Sequence, residues 1–306
     1  MFFVSNYHYI RERFDAQYPS IFGVTPCSFE NQLKLLKQQA DFISPTELLD
    51  NTDHVLQSKD TYCLVTFDDG LQEQFTYGLP ILDELDVPAI FFANSINREE
   101  QKVTSVHKIH LLRSILSPKE FITKLSVENN SITISESDLN LAQNIYIYDD
   151  KESAGLKYLL NYKLDFKVQE SIIHTLFETH FDTNEVLHDL YMSQQQLVDL
   201  SKKGYLGSHS HSHFPLGLLP DVAIKYELEH SKHYFEKLTN TKIAMVAYPY
   251  GSTAACTEVV ASIAKEVGYK LGFTTTRGNN IESDNLLLLN RYDCNDLPGG
   301  KNYKIQ

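Results

Sequence analysis

Short runs of apolar, β-branched and aromatic residues recur along the chain, most of them ending in polar or glycine-containing turns. They are Phe2–Ser5, Tyr62–Phe67, Ala89–Ala93, Tyr205–Ser208, Ile243–Tyr248, Lys270–Thr275 and Leu286–Arg291. Between several of them the apolar spacing turns helical. Ser28-Phe29-Glu30 leads into Leu33, Leu35 and Leu36; Pro80 to Leu85 precedes Val87-Pro88; Val222 to Leu238 is long and amphipathic; Thr257 to Val267 stops at Gly268. The alternation predicts an α/β protein with mostly parallel strands. About seven strands suit a closed or nearly closed barrel as readily as an open sheet. In both architectures functional residues sit just past the carboxyl ends of strands. Asp68, Asp69, His209 and Tyr250 all fall at such ends.

Residues 97–190 break this rhythm. Ser105 to Leu112 and Phe166 to Leu190 read as helices, with a polar, β-prone piece at Ser131–Ser135. The stretch is expected to be a largely helical insertion in a single domain spanning 1–306, lying over or beside the site. A length of 306 residues is near the upper limit for one hydrophobic core and fits one domain with an insert.

Composition narrows the function. With 42% apolar and 22% charged residues, the chain is an ordinary globular protein, and no stretch approaches a membrane-spanning length. The start, Met1-Phe2-Phe3-Val4, has no signal-peptide character, so a cytoplasmic location is expected. A net charge of −13 repels nucleic-acid phosphates and anionic lipid, which excludes both as partners. Cys27, Cys63, Cys256 and Cys294 show no paired spacing and read as free thiols. Without Trp, 18 Tyr and 17 Phe are the only aromatic platforms for a sugar ring.

Two clusters carry candidate chemistry. Asp68-Asp69-Gly70 closes the run Tyr62–Phe67, and His209-Ser210-His211-Ser212-His213 closes Tyr205–Ser208. Asp-Gly alone is an ordinary turn, and a histidine-rich stretch can be a surface loop. Together, one carboxylate and two imidazoles are the smallest set that holds a divalent cation while leaving coordination positions open. Asp69, His209 and His213 are that set; His211 reads as a loop histidine. Two chemistries use such a set: hydrolysis at a zinc-type site, and oxygenation at non-haem iron. The spare aspartate, Asp68, favours hydrolysis, because it supplies the base that takes a proton from water. Tyr248-Pro249-Tyr250-Gly251 reads as a rigid turn able to aim a backbone N–H at an oxyanion.

In these motifs the chain resembles the polysaccharide deacetylase family, the NodB-homology enzymes of carbohydrate esterase family 4. Thr66-Phe67-Asp68-Asp69-Gly70 matches the family's first motif, His209 to His213 its His-[Ser/Thr]-x-x-His motif, and Tyr248 to Gly251 its third. The flanks at Leu79–Leu82, Pro88–Phe92 and Ser193–Gly204 also look like the family's. The resemblance implies a distorted (β/α)7-type barrel and removal of N-acetyl groups from an amino sugar, polysaccharide or precursor, with release of acetate. It also implies a divalent cation, commonly zinc, with cobalt, nickel or manganese as alternatives. Carried over by position, Asp68 is the general base, Asp69, His209 and His213 are the ligands, and Tyr250, set by Pro249 and Gly251, gives the oxyanion-binding N–H.

Three positions depart from the family pattern. Ala247 stands where an Arg is usual, no Asp-x-x-Asp-Trp motif exists, and Leu288-Leu289-Asn290 replaces the late Leu-x-His. Tyr7-His8 resembles the early Tyr-His of the poly-N-acetylglucosamine deacetylase subgroup, which implies His8 as the general acid. Arg291 is the arginine expected to pair with Asp68. Other readings are a deformylase or related C–N amide hydrolase, and a carbohydrate-binding protein whose catalysis has lapsed through those departures.

Overall fold

A computed structural model describes residues 1–18, 22–129, 132–146 and 149–304. The chain separates into two compact units, one of residues 1–13, 23–102 and 187–306, the other of 14–22 and 103–186.

The first unit is built on β1 (Phe2–Tyr7), β2 (Asp41–Phe42), β3 (Tyr62–Phe67), β4 (Ala89–Ala93), β5 (Leu206–Ser208), β6 (Met245–Ala247), β7 (Leu271–Phe273) and β8 (Tyr292–Asp293). Every ladder is parallel, in the order β7-β6-β5-β4-β3-β1-β8, with β2 hanging on β3. Alternate residues face two cores, as the two-residue strand period requires. Phe2, Val4, Leu64, Ile90, Phe92, Met245, Leu271 and Phe273 meet inside the curled sheet. Phe3, Val65, Phe67 and Phe91 pack outward against helical residues such as Leu33, Leu82, Leu200, Leu228 and Ile263. Phe92 on β4 and Phe273 on β7 are three strands apart in the order, yet their ring centroids lie 5.6 Å apart. Only a sheet closing on itself brings them together, so the architecture is the distorted (β/α)7-type barrel.

Closure between β7 and β8 falls to the segment 286–293. Its first half bonds to β7, through Leu289 N–H to Gly272 O (2.8 Å) and Thr274 N–H to Leu289 O (2.8 Å). Its end pairs with β1 as Ser5↔Tyr292. The apolar run Leu286–Arg291 is therefore a crossing piece with a single parallel bridge, Phe273↔Leu289, and the ladder proper starts one residue beyond it.

Register places the site. Tyr7, Phe67 and Phe91 stand in one row, and Ala93 faces Ser208 in the next. Residues 8 and 68 thus leave the sheet together, and 94 and 209 together two residues further along, all at the carboxyl-end rim.

The second unit is helical: Ser105–Ile115, Pro118–Glu128, Glu136–Ile145, Lys151–Tyr158 and Phe166–Glu178. Ser117 and Ser135 close capping boxes with Glu120 and Asp138, which fixes two of these starts. Phe121, Leu125, Ala142, Ala154, Ile173 and Phe177 are buried. Phe166 to Leu190 divides into two helices, the second being Thr183–Leu190. Of the β-prone piece at 131–135, residue 131 lies outside the described residues and 132–135 form no strand. Ile132 is buried among the helices instead, where β propensity has no partner strand to act on. No helix among the described residues is long and apolar enough to cross a membrane.

Candidate active site

Asp68 follows β3 and is 2% exposed, with its N–H bonded to Tyr7 O. The Arg291 guanidinium grips it with two parallel bonds, Nη1 to Oδ1 at 2.8 Å and Nη2 to Oδ2 at 2.7 Å. Asn6 Nδ2 donates to the same Oδ2 (3.2 Å), and His8 Nε2 stands 3.8 Å from it. Burial alone would push this carboxyl up. The guanidinium, the nearby His209 and His8 outweigh it and hold the carboxyl down at about 2. Arg291 is itself 1% exposed and is held in place by Thr274 O and Asn6 Oδ1.

Asp69 takes φ +78° and Gly70 φ +63°, turning the chain sharply off the strand. A Cβ at Gly70 would lie 2.8 Å from Ala93 Cβ, so only glycine fits there without strain. The turn brings Asp69 Oδ1 to 3.4 Å from His209 Nε2 and 3.2 Å from His213 Nε2. His209 Nδ1 lies 2.8 Å from Ala247 O; a carbonyl only accepts, so Nδ1 carries a proton and Nε2 is the nitrogen left facing Asp69. An imidazole nitrogen this close to a carboxylate oxygen needs a positive charge between them, a proton or a metal ion.

The donor set fits a divalent cation. Two atoms each bonded to a tetrahedral zinc stand about 3.3 Å apart. The two Asp69–histidine separations lie on either side of that value, and one donor atom each from Asp69, His209 and His213 fall within 4.8 Å of one another. Among the described residues, non-glycine positive φ also marks Ser210 (+62°), His213 (+63°) and Tyr250 (+63°). Left-handed backbone gathered in this way is typical of a functional site.

The remaining candidates lie around this trio. The Tyr250 ring is 5.2 Å from that of His213 and 41% exposed. Pro249 is buried, and a Cβ on Gly251 (φ +60°) would stand 2.5 Å from Thr275 N. His8 is 39% exposed in its side chain, open to solvent beside Asp68. His211 turns away from Asp69 toward Ser95 and Glu100, and is 3% exposed.

Three buried residues that carry no motif hold the frame. Gln74 ties the ends of β1 and β3, with Nε2 donating to Asp68 O (2.6 Å) and His8 O (2.9 Å), and Oε1 accepting from Leu71 N–H (3.2 Å). Glu227 Oε2 accepts the N–H groups of His211 (3.1 Å) and Ser212 (2.8 Å), and the Ser212 hydroxyl donates to Oε1. Asn94 Nδ2 donates to His209 O. Spacing could not find them, because each also acts on backbone groups of a different element.

A parallel barrel whose rim gathers two adjacent aspartates, two histidines and a buried arginine is built as a carbohydrate deacetylase is built. Residues 56–131 and 163–272, more than half the chain, match the polysaccharide deacetylase family, and the chain belongs to that family of hydrolytic carbohydrate deacetylases. Among solved structures, the chain is similar to the deacetylase PplD of Streptococcus pyogenes, determined with acetate, at 19% identity over 95% of this chain and 91% of that one (TM-score 0.56). IcaB of Ammonifex degensii gives 17% over 95% and 90% (TM-score 0.57). The BpsB deacetylase domain of Bordetella bronchiseptica gives 17% over 95% and 95% (TM-score 0.55). At these identities the likeness is one of fold. No curated protein sequence matches the chain.

Proposed function

We propose that the protein is a metal-dependent N-deacetylase acting on an N-acetylated amino sugar within an oligosaccharide, polysaccharide or precursor, and that it releases acetate and a free amine. The observation that carries this reading is the meeting of Asp69, His209 and His213 beside a second, ionised carboxylate. PplD, solved with acetate, supports acetate as the product. The fold unit carrying the rim is read as the deacetylase domain, and residues 97–190 as its insertion.

Asp69 Oδ1, His209 Nε2 and His213 Nε2 hold the cation in this reading, zinc being the best match to two nitrogens and one oxygen. When bound, it polarises the acetamide carbonyl and acidifies a water. Asp68 takes the proton of the attacking water, and Arg291 and Asn6 keep its carboxylate ionised and aimed. The Tyr250 backbone N–H donates to the oxygen that becomes negative, a contact typically worth about 3 kcal/mol. His8 gives its proton to the departing nitrogen; its solvent exposure allows it to be recharged.

Acetate release from N-acetylglucosamine oligomers by the zinc-loaded protein tests the reaction. Asp68→Asn should lose turnover by at least about 10²-fold while keeping its zinc; Asp69→Asn and His213→Gln should lose turnover and one equivalent of zinc relative to the unaltered protein. Zinc retained at full occupancy by the latter two would refute the ligand assignment, and formate as the product would refute the acyl group.

A further inference from the structure

A second group of cation donors lies on the far side of the histidine run. His211 (3% exposed) is the middle residue of the stretch that carries His209 and His213, but its ring points the other way. There it meets Glu99 and Glu100, at the end of the short helix Ile96–Glu99 that follows β4, and His230 on the helix Asp221–Thr239. Glu99 Oε2 is 2.9 Å from His230 Nε2 and 3.9 Å from His211 Nδ1. One donor atom each from Glu99, His211 and His230 lie within 4.8 Å of one another, as in the first trio.

Ring orientation argues further than proximity. His211 Nε2 sits 3.0 Å from Glu100 Oε1, and a carboxylate only accepts, so Nε2 bears the proton. Nδ1 is then the bare nitrogen, and the Ser95 hydroxyl, at 2.7 Å, donates to it. A carboxylate holding one imidazole nitrogen so that the other presents its lone pair is how metal-binding histidines are oriented. The two imidazoles cross at 79° with centroids 4.6 Å apart, and the Tyr226 ring stacks on His230 at 4.8 Å, which limits how His230 can turn. Glu99 and His230 are each about one-third exposed, so an ion can enter from solvent.

We infer that Glu99, His211 and His230 form a second divalent-cation site, separate from the proposed catalytic one, with Glu100 as the outer partner of His211. Two imidazole nitrogens and one carboxylate oxygen select a zinc-type ion over calcium or magnesium. The ion takes the lone pair now held by Ser95 and replaces the hydrogen bond between His230 Nε2 and Glu99 Oε2. Its role is a clamp: it joins the segment after β4, the stretch 209–213 and the helix Asp221–Thr239, and so steadies the backbone from which His209 and His213 project. It uses none of the residues assigned to catalysis.

The test is zinc counting on the full chain, stripped with chelator and re-equilibrated with a buffered excess of zinc. The unaltered protein should hold two equivalents. Glu99→Gln and His230→Gln, both at solvent-accessible positions, should each hold one and still release acetate. His213→Gln should also hold one, and zinc should raise its Tm, an effect lost on adding His230→Gln. One equivalent in the unaltered protein, or two in both Glu99→Gln and His230→Gln, would overturn the inference. Because metal is counted directly, these outcomes stand whether or not acetate is released.

Discussion

Asp68 is kept ionised by its neighbours rather than by water. Its carboxyl sits near 2 against an ordinary aspartate near 3.8, a difference worth about 2 kcal/mol of folding stability. The folded value is the lower one, so this stabilisation is complete above pH 4 and is lost as pH falls through 2. Thermal melts between pH 6 and pH 2 should show Tm dropping across that window, and less so in Asp68→Asn. It also follows that an acid limb of kcat/KM near pH 6 does not belong to Asp68; a limb that moved in Asp68→Glu would contradict this. Arg291→Met leaves a buried carboxylate without its counterion and should cost on the order of 3–5 kcal/mol in urea unfolding. Gly70→Ala puts a methyl against Ala93 in a left-handed turn, and should lower both stability and zinc affinity. The residues that gather here were readable where they fall in motifs, at 68–70 and 209–213. Asn6 was not, because its amide serves a carboxylate 62 residues away and nothing local marks it.

Elements were legible where hydrophobic period and turn residues agreed. Tyr62–Phe67 and Ala89–Ala93 are strands to the residue, since both are buried on two faces and end in polar turns. The run Leu286–Arg291 reads as a strand from its residues, yet the chain is changing neighbours there, from β7 to β1, and pairs fully with neither. β2 was missed because Asp41–Phe42 is too short for any pattern. The 209–213 stretch is positioned by an element outside it, through Glu227 on the helix Asp221–Thr239. Glu227→Ala frees two N–H groups and should weaken zinc binding about 10–100-fold in chelator competition, with the helix content by circular dichroism unchanged.

At the scale of the molecule, strand count and alternation gave a parallel α/β sheet, open or closed, and only the resemblance to the deacetylases chose the barrel; the helical unit's internal order was not legible. Its helices are set by capping boxes and by a small core of their own, which an interrupted pattern conceals. The expected free thiols are free, but they are not equivalent. Burial pushes Cys63, Cys256 and Cys294 up to about 12, whereas Cys27 is exposed. Iodoacetamide at pH 8 should therefore alkylate Cys27 alone in the native fold and all four in urea, as read by mass spectrometry.

Arg291 reaches Asp68 across 223 positions and Asn6 across 285. A ribosome adding about 5–20 residues per second leaves Asp68 waiting on the order of ten seconds or more for its counterion. Throughout that interval the nascent β1–β3 pair carries a charge it cannot dehydrate, so this rim has to stay wet until the last crossing piece arrives. A translation product halted after Asn285 would retain Asp69, His209 and His213, yet its half-made barrel would have no dry socket for the Asp68 carboxylate.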